Sequence, residues 1–159
     1  MNSLLIPLLA AVILSGVAAN GGWAFCFVEA GVAYDIPPVL LWAIASHESG
    51  FNPYAVNRNI NGSYDYGLMQ INSGWYPVLG PERWSRLSDP CYNVYIGAWV
   101  LHQCIQRHGY TWKAVGCYNS SNPKLSAGYI RKIYGQLLKA ETYHRTSSPG
   151  TQQYSSYTP

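Results

Sequence analysis

The stretch HESGFNPYAVNRNINGSYDYGLMQINS, residues 47–73, places two carboxylates in contrasting surroundings. Glu48 lies at the end of an apolar run, whereas Asp65 lies among Asn, Gly, Ser and Tyr. The chain of 159 residues has only seven acidic residues, so the positions of these two are informative. Their contrast indicates two carboxyl groups with different protonation behaviour in one region of the fold.

Glu48 follows Leu41 and Ile44 at helical intervals, so we expect its carboxyl group to lie against apolar side chains. The C-terminal end of a helix also disfavours a negative charge, because the helix dipole is negative there. Burial and the dipole both raise the pKa of a carboxyl group, which makes Glu48 a candidate general acid near neutral pH. The alternative is a Glu that caps the helix end or pairs with Arg58.

Asp65 follows within NGSYDYG, where hydroxyl and amide groups solvate a carboxylate and favour its ionised form. A protonated carboxyl group that faces an ionised one suits the cleavage of a glycosidic bond. One group then protonates the leaving oxygen while the other supports positive charge at the anomeric carbon. The alternative is that Asp65 serves the backbone of a turn.

The composition narrows the class of protein. Charged residues make up 11% of the chain and apolar residues 48%, which predicts one domain with a substantial core. The net charge of +3 is small and there is no run of Lys and Arg, which argues against nucleic-acid binding. Since neither CxxC nor HExxH occurs, we expect no metal site and no cofactor.

The N-terminus carries the apolar segment LLIPLLAAVILSGVAA, residues 4–19, followed by small residues. The segment is short for a membrane span and contains Pro and Gly, so it predicts a secretory signal peptide over residues 1–24. We expect cleavage after Ala24, with Ala19 as the alternative site. Cleavage would leave no membrane span, and an uncleaved anchor is the competing interpretation.

Four cysteines behind a predicted signal peptide indicate disulfide bonds. They are Cys26, Cys91, Cys104 and Cys117. Four cysteines allow three pairings, and the sequence alone leaves these open. One option joins Cys104 and Cys117 across two neighbouring predicted helices, and it leaves Cys26 with Cys91.

Hydrophobic periodicity predicts a mainly helical fold with a small β excursion. The predicted helices, in chain order, are 26–35, 38–49, 91–109, 111–118 and 122–145. The composition of residues 54–71 predicts an irregular stretch with a turn at NING and a small hairpin. Three prolines predict a loop over residues 75–90, and a disordered tail is expected over residues 145–159.

Three motifs resemble those of a known family. They are ESGF at residues 48–51, GLMQI at residues 67–71, and YN at residues 118–119 with a downstream tyrosine, Tyr129. Together they resemble the lytic transglycosylase (SLT) family, and DYGLMQINSGW is similar to chicken-type lysozyme around its second carboxylate. The resemblance implies an α+β lysozyme-like fold in a domain over residues 25–144, with the β excursion carrying the second carboxylate.

The resemblance also implies a mechanism with one acid. Glu48 would protonate the glycosidic oxygen between N-acetylmuramic acid and N-acetylglucosamine. It would then accept the proton of the sugar's own 6-hydroxyl, which closes a 1,6-anhydro ring. The residues implied to orient sugar and acid are Ser49, Met69, Gln70, Tyr118, Asn119 and Tyr129. Asp65 departs from this pattern and leaves open whether the product is anhydro or hydrolytic.

The layout is similar to that of small transglycosylases of type III and type IV secretion, conjugation and pilus machines. It implies a periplasmic enzyme that opens peptidoglycan locally, with glycan strands as substrate and components of such a machine as partners. Those relatives have one cysteine after the signal peptide and another after an Asp-Pro like residues 89–90, which supports the pair Cys26–Cys91. The alternatives are a hydrolytic muramidase using Glu48 and Asp65, and a non-catalytic wall-binding assembly protein.

For His47 and four tryptophans, the sequence favours a structural position over a role in the site. His47 lies one helical step away from the face of Glu48, so we expect it at the surface. Tryptophan side chains can stack on sugars, but large aromatic residues lie more often in the core. A core position is therefore favoured for Trp75, Trp84, Trp99 and Trp112.

Overall fold

The computed structural model describes residues 25–147, and within that range it contains six α-helices and one small sheet. The helices are α1 (Phe27–Tyr34), α2 (Pro38–Ser49), α3 (Tyr76–Ser85), α4 (Pro90–His108), α5 (Trp112–Asn119) and α6 (Pro123–Ser147). The strands are β1 (Val56–Arg58), β2 (Tyr64–Tyr66) and β3 (Ile71–Asn72). The predicted signal peptide, residues 1–24, and residues 148–159 of the predicted tail lie outside the described residues.

The five predicted helices are confirmed, with small shifts at their ends, but the loop prediction for residues 75–90 is wrong. That segment forms α3 and a short 3-10 helix, Arg86–Ser88. Pro77 lies in the first turn of α3, where a missing N–H breaks no helical hydrogen bond. Gly80 has φ 72° and ψ 169°, so it kinks the helix, and Pro81 follows the kink. Pro77 therefore marks the start of α3, and Pro81 begins the part of α3 that follows the kink at Gly80.

The helix α2 carries the predicted apolar stripe into the core. Leu41, Ile44 and Ala45 are completely buried, as their helical spacing requires. Gly50 ends α2 with φ 59°, a left-handed conformation that glycine adopts without strain. The buried face of α2 packs on α6 and α4, and α4 also contacts α1, α5 and β3. Because α4 touches so many elements, it is the central helix of the domain.

The three strands form an antiparallel sheet in the order β1-β2-β3. Asn57 pairs with Asp65, and Asp65 pairs with Asn72, so these three residues form one row across the sheet. Directly opposed residues in a sheet project on the same face. The predicted hairpin therefore places Asp65 between two asparagines.

Two disulfides connect helices of the domain. Cys26 pairs with Cys91 at a Cα–Cα distance of 5.2 Å, and Cys104 pairs with Cys117 at 5.8 Å. These are the pairs expected from the sequence and its resemblance, and they indicate a protein folded outside the reducing cytoplasm. Among residues 25–147, none of the helices has the length and apolar character needed to cross a bilayer. The helical domain with its small sheet is an α+β lysozyme-like fold.

Candidate active site

A cleft of about 640 Å³ lies between the sheet and the helical part of the domain. The sheet and its hairpin turn contribute mostly amides and hydroxyls, and the helices contribute Glu48 and the end of α5. The lining residues are Glu48, Asn59, Ile60, Asn61, Ser63, Asp65, Gln70, Ile71, Asn72, Trp75, Val100, Tyr118, Asn119, Ser120 and Leu125. Both carboxylates singled out from the sequence therefore open into one cleft.

Glu48 is half-buried at the end of α2, and its Oε1 accepts a 2.6 Å hydrogen bond from the Tyr129 hydroxyl. Burial raises the pKa of Glu48 from an ordinary 4.5 to about 7, and the negative charge of Asp65 adds to the rise. The hydrogen bond from Tyr129 and the charge of Lys132 oppose the rise, because both favour the ionised form. A large share of Glu48 is consequently protonated near neutral pH, as the sequence led us to expect.

The alternative roles considered for Glu48 do not match its contacts. Its hydrogen-bond partner is Tyr129 of α6, and Arg58 is exposed in β1. The helix ends at Gly50 in a left-handed conformation, and the side chain that bonds to its last turn is that of Ser49, whose hydroxyl donates to the Ala45 carbonyl at 3.3 Å. Glu48 is therefore free to present its second carboxyl oxygen to the cleft.

Asp65 is held by two side-chain amides. Asn59 Nδ2 donates to one carboxyl oxygen at 2.9 Å, and Asn72 Nδ2 donates to the other at 2.6 Å. The backbone of the hairpin turn is instead served by Asn61, whose side chain accepts from the Ser63 N–H. The turn role considered for Asp65 is thus taken by Asn61, and Asp65 faces the cleft with its orientation fixed.

The two motif tyrosines are stacked beside Glu48. The rings of Tyr118 and Tyr129 are 6.3 Å apart and inclined by 17°. The Tyr118 hydroxyl donates to the Met69 carbonyl at 2.8 Å, just as Tyr129 donates to Glu48. Burial raises the pKa of both phenols well above the usual value, so both remain protonated hydrogen-bond donors near neutral pH.

The predicted substrate-binding residues divide into two groups. Gln70, Tyr118 and Asn119 line the cleft. Ser49 and Met69 do not line it: the Ser49 hydroxyl donates to the Leu68 carbonyl at 2.8 Å, and the Met69 side chain is completely buried. Their contacts join the GLMQI segment to α2 and to the core, and their role in orienting sugar and acid stays a prediction.

Tyr129 also lies outside the cleft lining and is only 4% exposed. Tyr129 reaches the cleft through its hydrogen bond to Glu48, and its predicted role in orienting sugar and acid stays a prediction.

The GLMQI segment has an unusual backbone that a buried asparagine holds in place. Gly67 has φ 78° and Gln70 has φ 50°, both left-handed. Asn93 of α4 accepts from the Met69 N–H at 2.8 Å and donates to the carbonyls of Tyr66 and Leu87, both at 3.1 Å. A Cβ at position 67 would collide with the Asn93 amide. Sequence reasoning missed Asn93, and its signal was a single amide on the apolar face of α4.

The side-chain amide of Gln70 forms hydrogen bonds that stabilise the wall of the cleft. Its amide nitrogen donates to the carbonyls of Gly67 and Ala55, at 2.8 and 3.1 Å. Its amide oxygen accepts from Asn57 at 2.6 Å. These bonds tie the motif to β1, so the sheet and the motif form one rigid wall of the cleft.

Two aromatic residues near the site make contacts that the sequence did not reveal. Trp75 lines the cleft in edge contact with Trp99, at a centroid distance of 5.0 Å. His47 is half-buried, because its ring packs edge-to-face against Tyr129 at 5.5 Å, so only part of it lies at the predicted surface. The helical step that turns His47 away from the cleft points it toward α6, which the sequence pattern of α2 alone does not reveal.

A desolvated Glu that faces an amide-held Asp across a polar cleft, on this fold, defines a lysozyme-like enzyme that cleaves glycan chains. The family model "Transglycosylase SLT domain" matches residues 25–132, which is more than half of the chain. The chain therefore belongs to the transglycosylase SLT domain family and is a peptidoglycan lytic transglycosylase.

Several curated proteins are similar over most of the chain. Invasion protein IagB of Salmonella typhimurium (strain SL1344) is 40% identical over 126 residues, which cover 77% of this chain and 78% of that protein. Protein IpgF of Shigella sonnei is 42% identical over 125 residues, which cover 74% and 82% respectively. The peptidoglycan-binding-like protein of Escherichia coli O157:H7 is 37% identical over 123 residues, covering 69% and 74%.

Proposed function

We propose that this enzyme cleaves the β-1,4 bond between N-acetylmuramic acid and N-acetylglucosamine and leaves a 1,6-anhydro end. Glu48 acts first as general acid and then as general base. The observation that carries the proposal is the state of Glu48, half-buried in a polar cleft with a pKa of about 7 and one oxygen held by Tyr129. A general acid works best when its pKa lies near the working pH.

The first step transfers the Glu48 proton to the glycosidic oxygen, so that the bond to the anomeric carbon breaks as positive charge develops there. Asp65 is fixed by Asn59 and Asn72 in the same cleft and supports that charge electrostatically. Glu48 is then a carboxylate, and Tyr129 stabilises it by hydrogen bonding. This carboxylate removes the proton of the sugar 6-hydroxyl as that oxygen closes the anhydro ring, so no water is consumed.

A hydrolytic muramidase is the second candidate, and the position of Asp65 favours it. Asp65 opens into the cleft together with Glu48, which is the pairing that retaining and inverting glycosidases need. Mass spectrometry of digested peptidoglycan separates the two reactions, because anhydro ends identify the transglycosylase and reducing ends identify the hydrolase. For Asp65→Asn, we expect partial loss of activity by the one-acid route and near-total loss if hydrolysis operates.

A zymogram of wild type, Glu48→Gln and Glu82→Gln tests whether the protein is catalytic through Glu48. Glu82 is an exposed carboxylate of α3, so its replacement controls for the loss of one charge. The proposal expects wall clearing by wild type and Glu82→Gln only. Equal clearing by all three, or clearing by none, supports a non-catalytic wall-binding protein instead.

The setting of the reaction is also part of the proposal. The disulfides and the predicted cleavage after residue 24 support a periplasmic enzyme. The resemblance in layout to small transglycosylases of secretion and conjugation machines supports work beside such an apparatus. N-terminal sequencing of the protein from a periplasmic fraction tests this. A mature chain that begins at Phe25 is the expected result, and an intact Met1 in a membrane fraction contradicts it.

A further inference from the structure

His47 contacts the donor to Glu48 from outside the cleft. Its ring meets the Tyr129 ring edge-to-face, with centroids 5.5 Å apart and planes inclined by 62°. Tyr129 is also stacked with Tyr118. Tyr129 thus contacts two rings, one from α2 and one from α5, while its hydroxyl donates to Glu48.

We propose that His47 is a positioning residue that holds the Tyr129 phenol in the orientation needed to donate to Glu48. This inference rests on the proposed role of Glu48 as the acid. The O–H bond of a phenol prefers to lie in the plane of its ring, so neighbours that hold the ring also direct the hydroxyl hydrogen toward a fixed acceptor. Aromatic pairs at this separation prefer edge-to-face geometry. Because His47 directly precedes Glu48 in α2, the acid and the ring that orients its donor move together.

The contact depends on an uncharged imidazole. Burial lowers the pKa of His47, and the charge of Lys132 lowers it further. The ring is consequently neutral near pH 7 and packs on Tyr129 as an aromatic group. A partner that packs in this way can be replaced by phenylalanine, but not by alanine.

The charged and titratable groups that face Glu48 come from three elements. They are Tyr129 and Lys132 of α6, Asp65 of β2 and Tyr118 of α5. The Tyr129 hydrogen bond favours the ionised form of Glu48 and lowers its pKa. If the phenol loses its orientation, the pKa of Glu48 must therefore rise, and this gives a readout that a general loss of stability does not give.

The experiment compares kcat and KM across pH for wild type, His47→Ala, His47→Phe and Ser46→Ala, with soluble peptidoglycan strands as substrate. Ser46 is the matched control, since its hydroxyl also links α2 to α6, through Gln136 at 3.2 Å, without touching Tyr129. For His47→Ala we expect kcat to fall about threefold to tenfold with KM little changed. The alkaline limb of its profile should move up by about half a pH unit. His47→Phe restores both values, and Ser46→Ala leaves the alkaline limb in place.

The double variant His47→Ala/Tyr129→Phe shows whether His47 affects activity through Tyr129 or independently of it. If His47 acts through Tyr129, the double variant loses no more activity than Tyr129→Phe alone. Additive losses, or an unmoved alkaline limb in His47→Ala, overturn the inference.

Failure of the inference can be told apart from failure of the proposed function. Carbon NMR titration of the Glu48 carboxyl group reads its pKa without turnover, in wild type and in His47→Ala. An unchanged pKa overturns the role of His47 even if Glu48→Gln is inactive. An active Glu48→Gln overturns the proposed function whatever the titration gives.

Discussion

Replacing Glu48 by Gln is expected to stabilise the folded protein at alkaline pH while it abolishes wall cleavage. Burial raises the pKa of this carboxyl group from an ordinary 4.5 to about 7. Between those values the folded chain keeps a proton that the unfolded chain has released. The free energy of unfolding contributed by Glu48 therefore falls as the pH rises from about 4.5 to about 7, and it stays level above that.

The magnitude follows from the same shift. A change of one pKa unit corresponds to about 1.4 kcal/mol, so ionised Glu48 destabilises the fold by up to about 3 kcal/mol. Glutamine has nearly the same shape, carries no charge at any pH, and keeps an oxygen that can accept the Tyr129 hydrogen bond. The free energy of unfolding of Glu48→Gln is thus expected to exceed that of wild type by about 1 to 3 kcal/mol at pH 8. Near pH 4 the two values should differ little.

Urea denaturation at pH 4 and pH 8 measures this difference, with Glu82→Gln as the control for an exposed carboxylate. The control is expected to follow wild type within about 0.5 kcal/mol at both pH values. The reasoning is refuted if Glu48→Gln and wild type differ by the same amount at both pH values. Such a result would mean that the carboxyl group of Glu48 is not desolvated in the folded protein.

Three further substitutions test residues that support or line the site. Gly67→Ala is expected to cost about 3 kcal/mol or more by urea denaturation, because it adds a collision with Asn93 to the strain of φ 78°. Gly62→Ala is the control, because Gly62 also has a positive φ, 85°, but an added Cβ there meets open space. It should cost only about 1–2 kcal/mol, and equal losses of stability in the two variants would contradict the collision with Asn93. The double variant Cys104→Ser/Cys117→Ser removes a bridge across a sequence separation of 13 and should lose about 3 kcal/mol. An unchanged thermal midpoint under non-reducing conditions would exclude that contribution. Trp75→Ala removes a ring from the cleft lining and should raise KM for glycan strands about tenfold at similar kcat, whereas a loss confined to kcat would place the ring near the reacting bond.

The prediction of helices succeeded where the residues within one helix are enough to identify its buried face. The stripe of Leu41, Ile44 and Ala45 identifies the buried face of α2, and Glu48 lies on that face. The raised pKa of Glu48 could therefore be anticipated from its spacing and from its place at the end of a predicted helix. The same local reasoning failed at residues 75–90, because proline is compatible with both a loop and a helix start, and only the chain that follows distinguishes them.

The sequence by itself determined which residues face the core, where the carboxylates lie along the chain, and which motifs they belong to. These properties depend on neighbours within a few residues, because helix and strand periodicities are local. Only the tertiary structure decided that Tyr129, 81 residues after Glu48, donates to it, that Asn93 supports the backbone of Met69, and that His47 packs on Tyr129. Such contacts depend on how α2, α4 and α6 pack against one another, and no periodicity within one helix specifies its partner on another.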